Sequence, residues 1–172
     1  DFLVFDACSM ASVEVLYELK DITPFVLASP TEIINTGMPY HQVLNGLFDP
    51  DILSGLMNVA RSTYEYYNEK DGILRSATFS LIDMKKLEML AETTRSLISE
   101  MNVERVRRDG IQRLDLDRTS PIAAFDFLDF GQRHLSSENA KKLEEAINKV
   151  VLFKINTSHF LGFPLKRFSG LS

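Results

Sequence analysis

Cysteine is almost absent from this sequence, which holds one, Cys8, among 172 residues. A single cysteine excludes an intramolecular disulfide and a cysteine-rich zinc module, although it does not identify the compartment. Long apolar runs are also missing, since no stretch approaches the roughly 18 residues that span a bilayer. The first residues lack the pattern of a signal peptide, and the chain does not begin with methionine. The sequence therefore predicts no membrane span.

Basic residues are in the minority, with 19 Lys and Arg against 24 Asp and Glu and a net charge of −5. This balance disfavours nucleic acid and anionic membranes as partners and weakly favours cationic ones. The sequence contains neither a P-loop nor a dinucleotide fingerprint. With 45% hydrophobic residues at this length, the chain can bury one substantial core. We therefore expect a single domain or part of one.

Short apolar runs alternate with longer helical periods, which favours an α/β layer architecture over a bundle or a sandwich. The predicted strands cover residues 2–7, 25–29 and 74–82, and a last strand follows a turn at Gly162 and Pro164. The predicted helices cover residues 11–20, 40–48, a stretch after the N-cap Asp49, a long stretch capped by Asp83, and residues 137–153. The spacing from residue 2 to residue 29 predicts a right-handed parallel crossover of strand, helix and strand.

The segment Asp6-Ala7-Cys8 lies where the first predicted strand ends. Ligands of open α/β sheets bind at this edge, so a thiol there can be presented to a substrate. The carboxylate of Asp6 is two residues earlier and points to the same face of the strand. In a parallel crossover the loop after the second strand, from Ser29 to Glu32, lies beside Cys8 and can line the same pocket. Free cysteines also pack as small hydrophobes without chemistry, and the residue pattern leaves both interpretations open.

Several segments resemble one protein family, in the same order along the chain. Residues 5–20, FDACSMASVEVLYELK, are similar to the nucleophile segment of the clostripain family of cysteine peptidases, which is related to caspases, gingipains and legumains. The similarity continues through residues 26–32 and 36–40, and with less specificity through residues 78–83 and 168–172. The resemblance implies a caspase-like three-layer α/β/α sandwich with a mostly parallel central sheet. It also implies that residues 1–172 are the nucleophile-bearing C-terminal portion of a peptidase domain, with both ends truncated or processed.

The same resemblance implies an endopeptidase that cleaves after arginine or lysine through an acyl-enzyme on Cys8. Asp6 resembles the acid that receives the cationic side chain in this family, and Ser29 and Thr31 are expected to line the same pocket. A carboxylate in a partly desolvated pocket selects such cations through a charge-assisted hydrogen bond. The alternative for Asp6 is a strand-end aspartate that only stabilises a turn. The expected partners are proteins or peptides with Arg or Lys before the scissile bond.

A cysteine peptidase also needs an imidazole and backbone donors for the oxyanion. In the clostripain family a His-Gly pair upstream of the cysteine supplies the imidazole and one donor, whereas the first histidine of this chain is His41. We therefore expect an upstream chain or segment to carry the catalytic His-Gly, and the isolated chain to be inactive. His41 is the internal fallback for a Cys-His pair. His134 and His159 are expected at a helix end or in a loop, and the three histidines lack metal-ligand spacing.

No cofactor is predicted from the residues. Calcium is implied only by the resemblance, because the acids at 115, 117, 126 and 129 lack the glycine-bearing loop of an EF-hand. The resemblance also implies a secreted, periplasmic or cell-surface protein of a bacterium. Two alternatives stay open: a noncatalytic binding or structural module that keeps the fold, and an unrelated flavodoxin-like domain with an inert core cysteine.

Overall fold

The computed structural model describes residues 1–99, 108–116 and 124–172. The strands are β1 (Leu3–Val4), β2 (Phe25–Ala28), β3 (Thr78–Asp83), β4 (Val151–Asn156), β5 (His159–Phe160) and β6 (Phe163–Pro164). The helices are α1 (Val13–Glu18), α2 (Tyr40–Leu47), α3 (Ile52–Asn68), α4 (Leu87–Ile98), α5 (Phe127–His134) and α6 (Ser137–Val150), with single 3-10 turns at Gly72–Leu74 and Met84–Lys86. None of the described helices combines the length and the apolar character that crossing a bilayer requires.

Helices cover both faces of a four-stranded sheet in the order β1-β2-β3-β4. On one face, Val26, Ala28 and Ile82 pack with side chains of α1, α4 and α6. On the other face, Leu27 and Leu81 pack with side chains of α2 and α3. Successive strand residues point to opposite faces, which is why the neighbours Val26 and Leu27 belong to different clusters. The predicted three-layer α/β/α sandwich is therefore confirmed.

The direction of the strands was only partly predictable. β1 and β2 run parallel, with Leu3 opposite Val26, so the crossover through α1 is confirmed. β2 and β3 are antiparallel, and so are β3 and β4. The described sheet is thus mixed, with one parallel pairing of three, rather than mostly parallel as expected. Apolar periodicity identifies a strand but carries no information about its direction, which depends on the connections between strands.

A strand replaces the end of the last predicted helix. α6 ends at Val150, and the chain continues directly as β4. Phe153 and Ile155 pack against the cluster on the α2 and α3 face, which stabilises the extended conformation. No glycine or proline separates the two elements, so the sequence lacked the usual signal for the end of a helix. The strand predicted after the turn at Gly162 and Pro164 does not form, since residues 165–172 contain no strand. Instead β5 and β6 form a hairpin at the predicted turn, around Gly162, whose φ is 81°.

Two helix starts differ from the prediction by a few residues, and α5 was not predicted. The N-cap of α3 is Asp51, whose carboxylate accepts hydrogen bonds from the N–H groups of Leu53 and Ser54, whereas Asp49 accepts from the N–H of Asp51. Asp83 caps the 3-10 turn that precedes α4 rather than α4 itself. Asp and Asn near a helix start compete for the same role, so composition alone leaves the choice open.

Candidate active site

Cys8 lies in the turn that follows β1 and is exposed. The next residue, Ser9, has a φ of 58°, a left-handed conformation that is costly for residues other than glycine. Two backbone hydrogen bonds to carbonyl groups of the loop after β2 hold this turn. The N–H of Ser9 donates to the carbonyl of Thr31 at 2.7 Å, and the N–H of Ala11 donates to the carbonyl of Ser29 at 3.0 Å. The parallel crossover thus sets the thiol at the edge of the sheet.

The sulfur of Cys8 faces the backbone of Ile33. The N–H of Ile33 donates to Sγ at 3.2 Å, and Sγ lies 3.9 Å from the carbonyl oxygen of the same residue. An N–H directed at the sulfur stabilises the negative charge of a thiolate. The N–H of Cys8 itself donates to no acceptor within the described ranges. An exposed sulfur beside an available backbone donor is an arrangement suited to attack on a carbonyl group.

Ser29 and Thr31, predicted to line the pocket, have no exposed surface. Their hydroxyl oxygens lie 2.6 Å and 2.7 Å from the hydroxyl oxygen of Thr78, which begins β3. Buried hydroxyl groups need such partners, and these three provide them for one another. In this structure the two side chains hydrogen-bond the loop to β3 and are not accessible to a substrate.

The carboxylate of Asp6 is exposed and accepts hydrogen bonds from the end of the same loop. The N–H of Met38 lies 3.1 Å from both carboxylate oxygens, and the hydroxyl of Tyr40 donates to Oδ2 at 3.0 Å. Desolvation, followed by the hydrogen bond to Asp6, raises the pKa of Tyr40, so this hydroxyl keeps its proton at neutral pH. Residues 31–40, hereafter the site loop, therefore contact both Asp6 and the sulfur of Cys8.

The site loop approaches Asp6 closely because residue 37 is glycine. Gly37 has a φ of 67°, and a Cβ added to it would lie 2.5 Å from Oδ2 of Asp6. Tyr67 of α3 donates a hydrogen bond to the carbonyl of Gly37 at 2.6 Å, and its hydroxyl oxygen lies 2.7 Å from that of Thr36. A glycine tolerates both the left-handed backbone and the short distance. α3 thus anchors the turn that holds the carboxylate.

Gly37→Ala is expected to destabilise the protein by about 2 kcal/mol or more, of which the left-handed backbone accounts for about 1 kcal/mol. The remainder arises because the new methyl group occupies the space of the Asp6 carboxylate. Gly72→Ala is a matched control, since Gly72 has a φ of 59° and its added Cβ would meet nothing within 4 Å. Urea unfolding of the two variants measures the difference. Equal destabilisation would contradict the view that the contact with Asp6 constrains residue 37.

Residues 1–158 match the Clostripain family. The chain belongs to this family. Among solved structures it is similar to an inactive zymogen C11 protease from Parabacteroides distasonis, with 27% identity, a TM-score of 0.87, and coverage of 99% of this chain and 51% of that one. It is also similar to a clostripain from Bacteroides thetaiotaomicron in complex with the peptide inhibitor BTN-VLTK-AOMK, with 26% identity, a TM-score of 0.87, and coverage of 99% and 76%.

A third solved structure similar to this clostripain-family chain is a secreted C11 cysteine protease from Bacteroides thetaiotaomicron. It is 26% identical with a TM-score of 0.87, and 99% of this chain matches 48% of that one. The chain spans about half the length of this protease and of the Parabacteroides zymogen. No curated protein matches it in sequence.

All three histidines of the clostripain-family chain lie within the described ranges, and none of them hydrogen-bonds to Cys8. His41 is exposed in α2, with its ring 6.1 Å from that of Tyr66. His134 ends α5, where its Nδ1 lies 2.8 Å from a carbonyl oxygen of the same helix, and His159 lies in β5. The described residues therefore contain no Cys-His pair, and the upstream histidine stays a prediction.

Three of the four acids considered for calcium have partners in the described structure. Asp115 and Asp129 pair with arginine side chains, and Asp126 accepts hydrogen bonds from two backbone N–H groups, while Asp117 lies outside the described residues. Burial raises the pKa of Asp126. Within the described ranges no group of three His, Cys, Asp or Glu side chains is placed to hold a metal ion. Carboxylates engaged in this way do not fit a calcium cage, which needs several available oxygens.

Two contacts of the site were not predicted from the sequence. Ile33 acts through its backbone N–H, a group that every residue except proline carries, so its side chain gives no signal. Tyr40 is 34 positions from Asp6 in the sequence. The only available signal was its position in the 36–40 segment, at the rim of the loop predicted to lie beside the nucleophile.

Proposed function

We propose that this chain is the nucleophile-bearing portion of a cysteine endopeptidase that cleaves peptide bonds after arginine or lysine. One observation carries the proposal: a single loop holds an exposed thiol and an exposed carboxylate two residues apart at the edge of the sheet. The sulfur of Cys8 lies 3.2 Å from the N–H of Ile33, and Asp6 is held by Met38 and Tyr40. Membership of the clostripain family supports the same reaction class.

Cys8 is the nucleophile in this proposal. Its thiolate attacks the carbonyl carbon of the scissile bond, and the oxyanion that forms accepts a hydrogen bond from the N–H of Cys8. The carbon–nitrogen bond then breaks, leaving a thioester on Sγ, and the departing amine takes a proton from an imidazolium. Water hydrolyses the thioester and regenerates the thiol. Of these groups, the thiol and the N–H of Cys8 belong to this chain and lie at the edge of the sheet.

The imidazole and the second oxyanion donor come from a His-Gly pair on a segment upstream of residue 1. The absence of a hydrogen bond from Cys8 to His41, His134 or His159 supports this, since all three lie in described parts of the chain. The length of the similar zymogen, about twice that of this chain, leaves room for such a segment. On this proposal the isolated chain is inactive, and the mature enzyme contains both portions. The secreted relative supports an exported protein.

Asp6 receives the cationic side chain that precedes the scissile bond. Its carboxylate is exposed and lies two residues before the nucleophile in the sequence. At this separation the carboxylate can reach the side chain of the substrate residue whose carbonyl carbon is attacked. A charged hydrogen bond between carboxylate and ammonium or guanidinium discriminates against neutral side chains. The inhibitor bound to the Bacteroides clostripain, written BTN-VLTK-AOMK, has lysine next to its AOMK group and supports this direction.

The test is covalent labelling of the complete protein with a lysyl chloromethyl ketone. We expect alkylation of the peptide that contains Cys8, detected by mass spectrometry, because the ketone places its electrophilic carbon at the sulfur only when the lysyl group is bound. A chloromethyl ketone with a neutral side chain of similar length is expected to react at least about tenfold more slowly. A complete protein in which Cys8 stays unmodified would contradict the proposal and favour the noncatalytic module.

A further inference from the structure

The two oxygens of the Asp6 carboxylate do not have equal surroundings. Oδ2 accepts hydrogen bonds from the N–H of Met38 at 3.1 Å and from the hydroxyl of Tyr40 at 3.0 Å. The same N–H of Met38 is shared with Oδ1, also at 3.1 Å, and within the part of the chain that the structure describes Oδ1 accepts no other hydrogen bond. Each carboxylate oxygen has two lone pairs, so the available acceptor capacity lies mainly on Oδ1.

Arginine and lysine make different demands on such a carboxylate. A guanidinium group forms its strongest pairing as a fork, with two parallel N–H donors on the two oxygens of one carboxylate. An ammonium group is a point charge that one oxygen satisfies. We propose that the hydroxyl of Tyr40 is a specificity-determining group, which occupies Oδ2 of Asp6 and so favours lysine over arginine. This inference rests on the proposed function, because it assigns a role within the same pocket.

Contacts of the backbone hold Tyr40 in position. It is the first residue of α2 and follows Pro39, whose ring restricts the backbone, and its N–H donates to the carbonyl of Met38 at 2.9 Å. The turn that precedes it is held from α3 by the hydrogen bond from Tyr67 to Gly37 at 2.6 Å. A phenol is protonated throughout the neutral range, and desolvation together with the hydrogen bond to Asp6 raises the pKa of Tyr40 further, so the hydroxyl is able to donate. On this proposal the hydroxyl stays on Oδ2 while a substrate binds.

Tyr40 also lies where a substrate can reach it. Its side chain is 52% exposed although its hydroxyl is engaged, so the carboxylate and the phenol ring share one open surface. Removal of the hydroxyl leaves the ring, the backbone and the Met38 hydrogen bond in place. Tyr40→Phe therefore makes one acceptor site on Oδ2 of Asp6 available and changes little else.

The experiment compares two peptide substrates that differ only in lysine or arginine before the scissile bond, using the complete enzyme. For Tyr40→Phe we expect the ratio of kcat/KM for arginine to that for lysine to rise about tenfold, as one charge-assisted hydrogen bond to Oδ2 becomes available to the guanidinium. The change is expected in KM more than in kcat. Tyr64→Phe is the matched control, since Tyr64 has no hydrogen bond to Asp6, and its ratio should equal that of the wild type.

A ratio of two substrates on one enzyme does not depend on the fraction of protein that is folded, so a purely structural defect leaves it unchanged. An unchanged ratio in Tyr40→Phe, or a shift towards lysine, would overturn the inference while leaving the proposed function intact. Tyr40→Leu removes ring and hydroxyl together and is expected to shift the ratio in the same direction. A shift in Tyr40→Leu alone would assign the effect to the ring and overturn the role of the hydroxyl. A wild-type enzyme that cleaves neither substrate would overturn both proposals.

Discussion

Cys8→Ala is expected to abolish peptide hydrolysis by the complete enzyme, with kcat falling about 10⁴-fold or more, as is usual when a covalent nucleophile is removed. Without Sγ no thioester can form, and alanine offers no other nucleophile. The residue is exposed and, among the described residues, its sulfur hydrogen-bonds only to the backbone of Ile33, so the substitution should leave the unfolding temperature nearly unchanged. Initial rates with a lysyl peptide, together with thermal unfolding, measure the two effects separately.

His41→Ala is the natural control for this experiment. His41 is exposed in α2, its ring lies edge-on to that of Tyr66 at 6.1 Å, and it makes no hydrogen bond to Cys8 within the described ranges, so most of the activity should be kept. Loss of activity as large as that in Cys8→Ala would make His41 the general base and contradict the upstream histidine. Turnover in Cys8→Ala within about tenfold of the wild type would contradict the nucleophile itself.

The placement of Cys8 at the edge of the sheet was predictable because it depends on local pattern, whereas its role as nucleophile was implied by the family resemblance and stays a prediction. An apolar run followed by Cys8 and an amphipathic segment indicates a strand that ends at the thiol, and the length of that segment predicts the parallel return of the chain. The position of Asp6 on the same face as Cys8 was predictable because the two residues are two positions apart. These inferences need no knowledge of distant residues, and the structure has both side chains exposed at one edge of the sheet.

The surroundings of the two groups were less predictable, because they depend on contacts between residues far apart in the sequence. Ser29 and Thr31 were correctly expected in the loop beside Cys8, but the sequence could not reveal that Thr78, nearly 50 positions later, takes up their hydroxyl groups. Small hydroxyl side chains suit both a pocket wall and a buried network. The choice between these roles depends on which strand lies next to β2, and strand order is not encoded in periodicity.

The fold elements that differ from the prediction also depend on contacts between residues far apart in the sequence. Helical spacing continued across Val150 and Val151, so the pattern could not separate α6 from β4, and the strand is stabilised by pairing with β3 and by packing on the α2 and α3 face. The antiparallel direction of β3 and β4 depends on connections that pass through segments without clear periodicity, including residues 108–116. Local signals therefore identified the edge where the site lies, whereas the complete sheet required tertiary contacts.

Asp6→Asn is expected to lower kcat/KM for lysyl and arginyl substrates roughly 10- to 100-fold, because the cation of the substrate loses a charge-assisted hydrogen bond. The amide is nearly isosteric and its oxygen can still accept the hydrogen bond from Met38, so folding should be little affected. A substrate with a neutral side chain of similar length is expected to lose far less, and the ratio of basic to neutral substrates is the informative measurement. Asp21→Asn removes the same charge from an exposed position beside Lys20 and controls for the general electrostatic field. If both Asp6→Asn and Asp21→Asn reduce activity equally, or if basic and neutral substrates lose equally in Asp6→Asn, the carboxylate is not the cation-binding group and Asp6 only stabilises the turn.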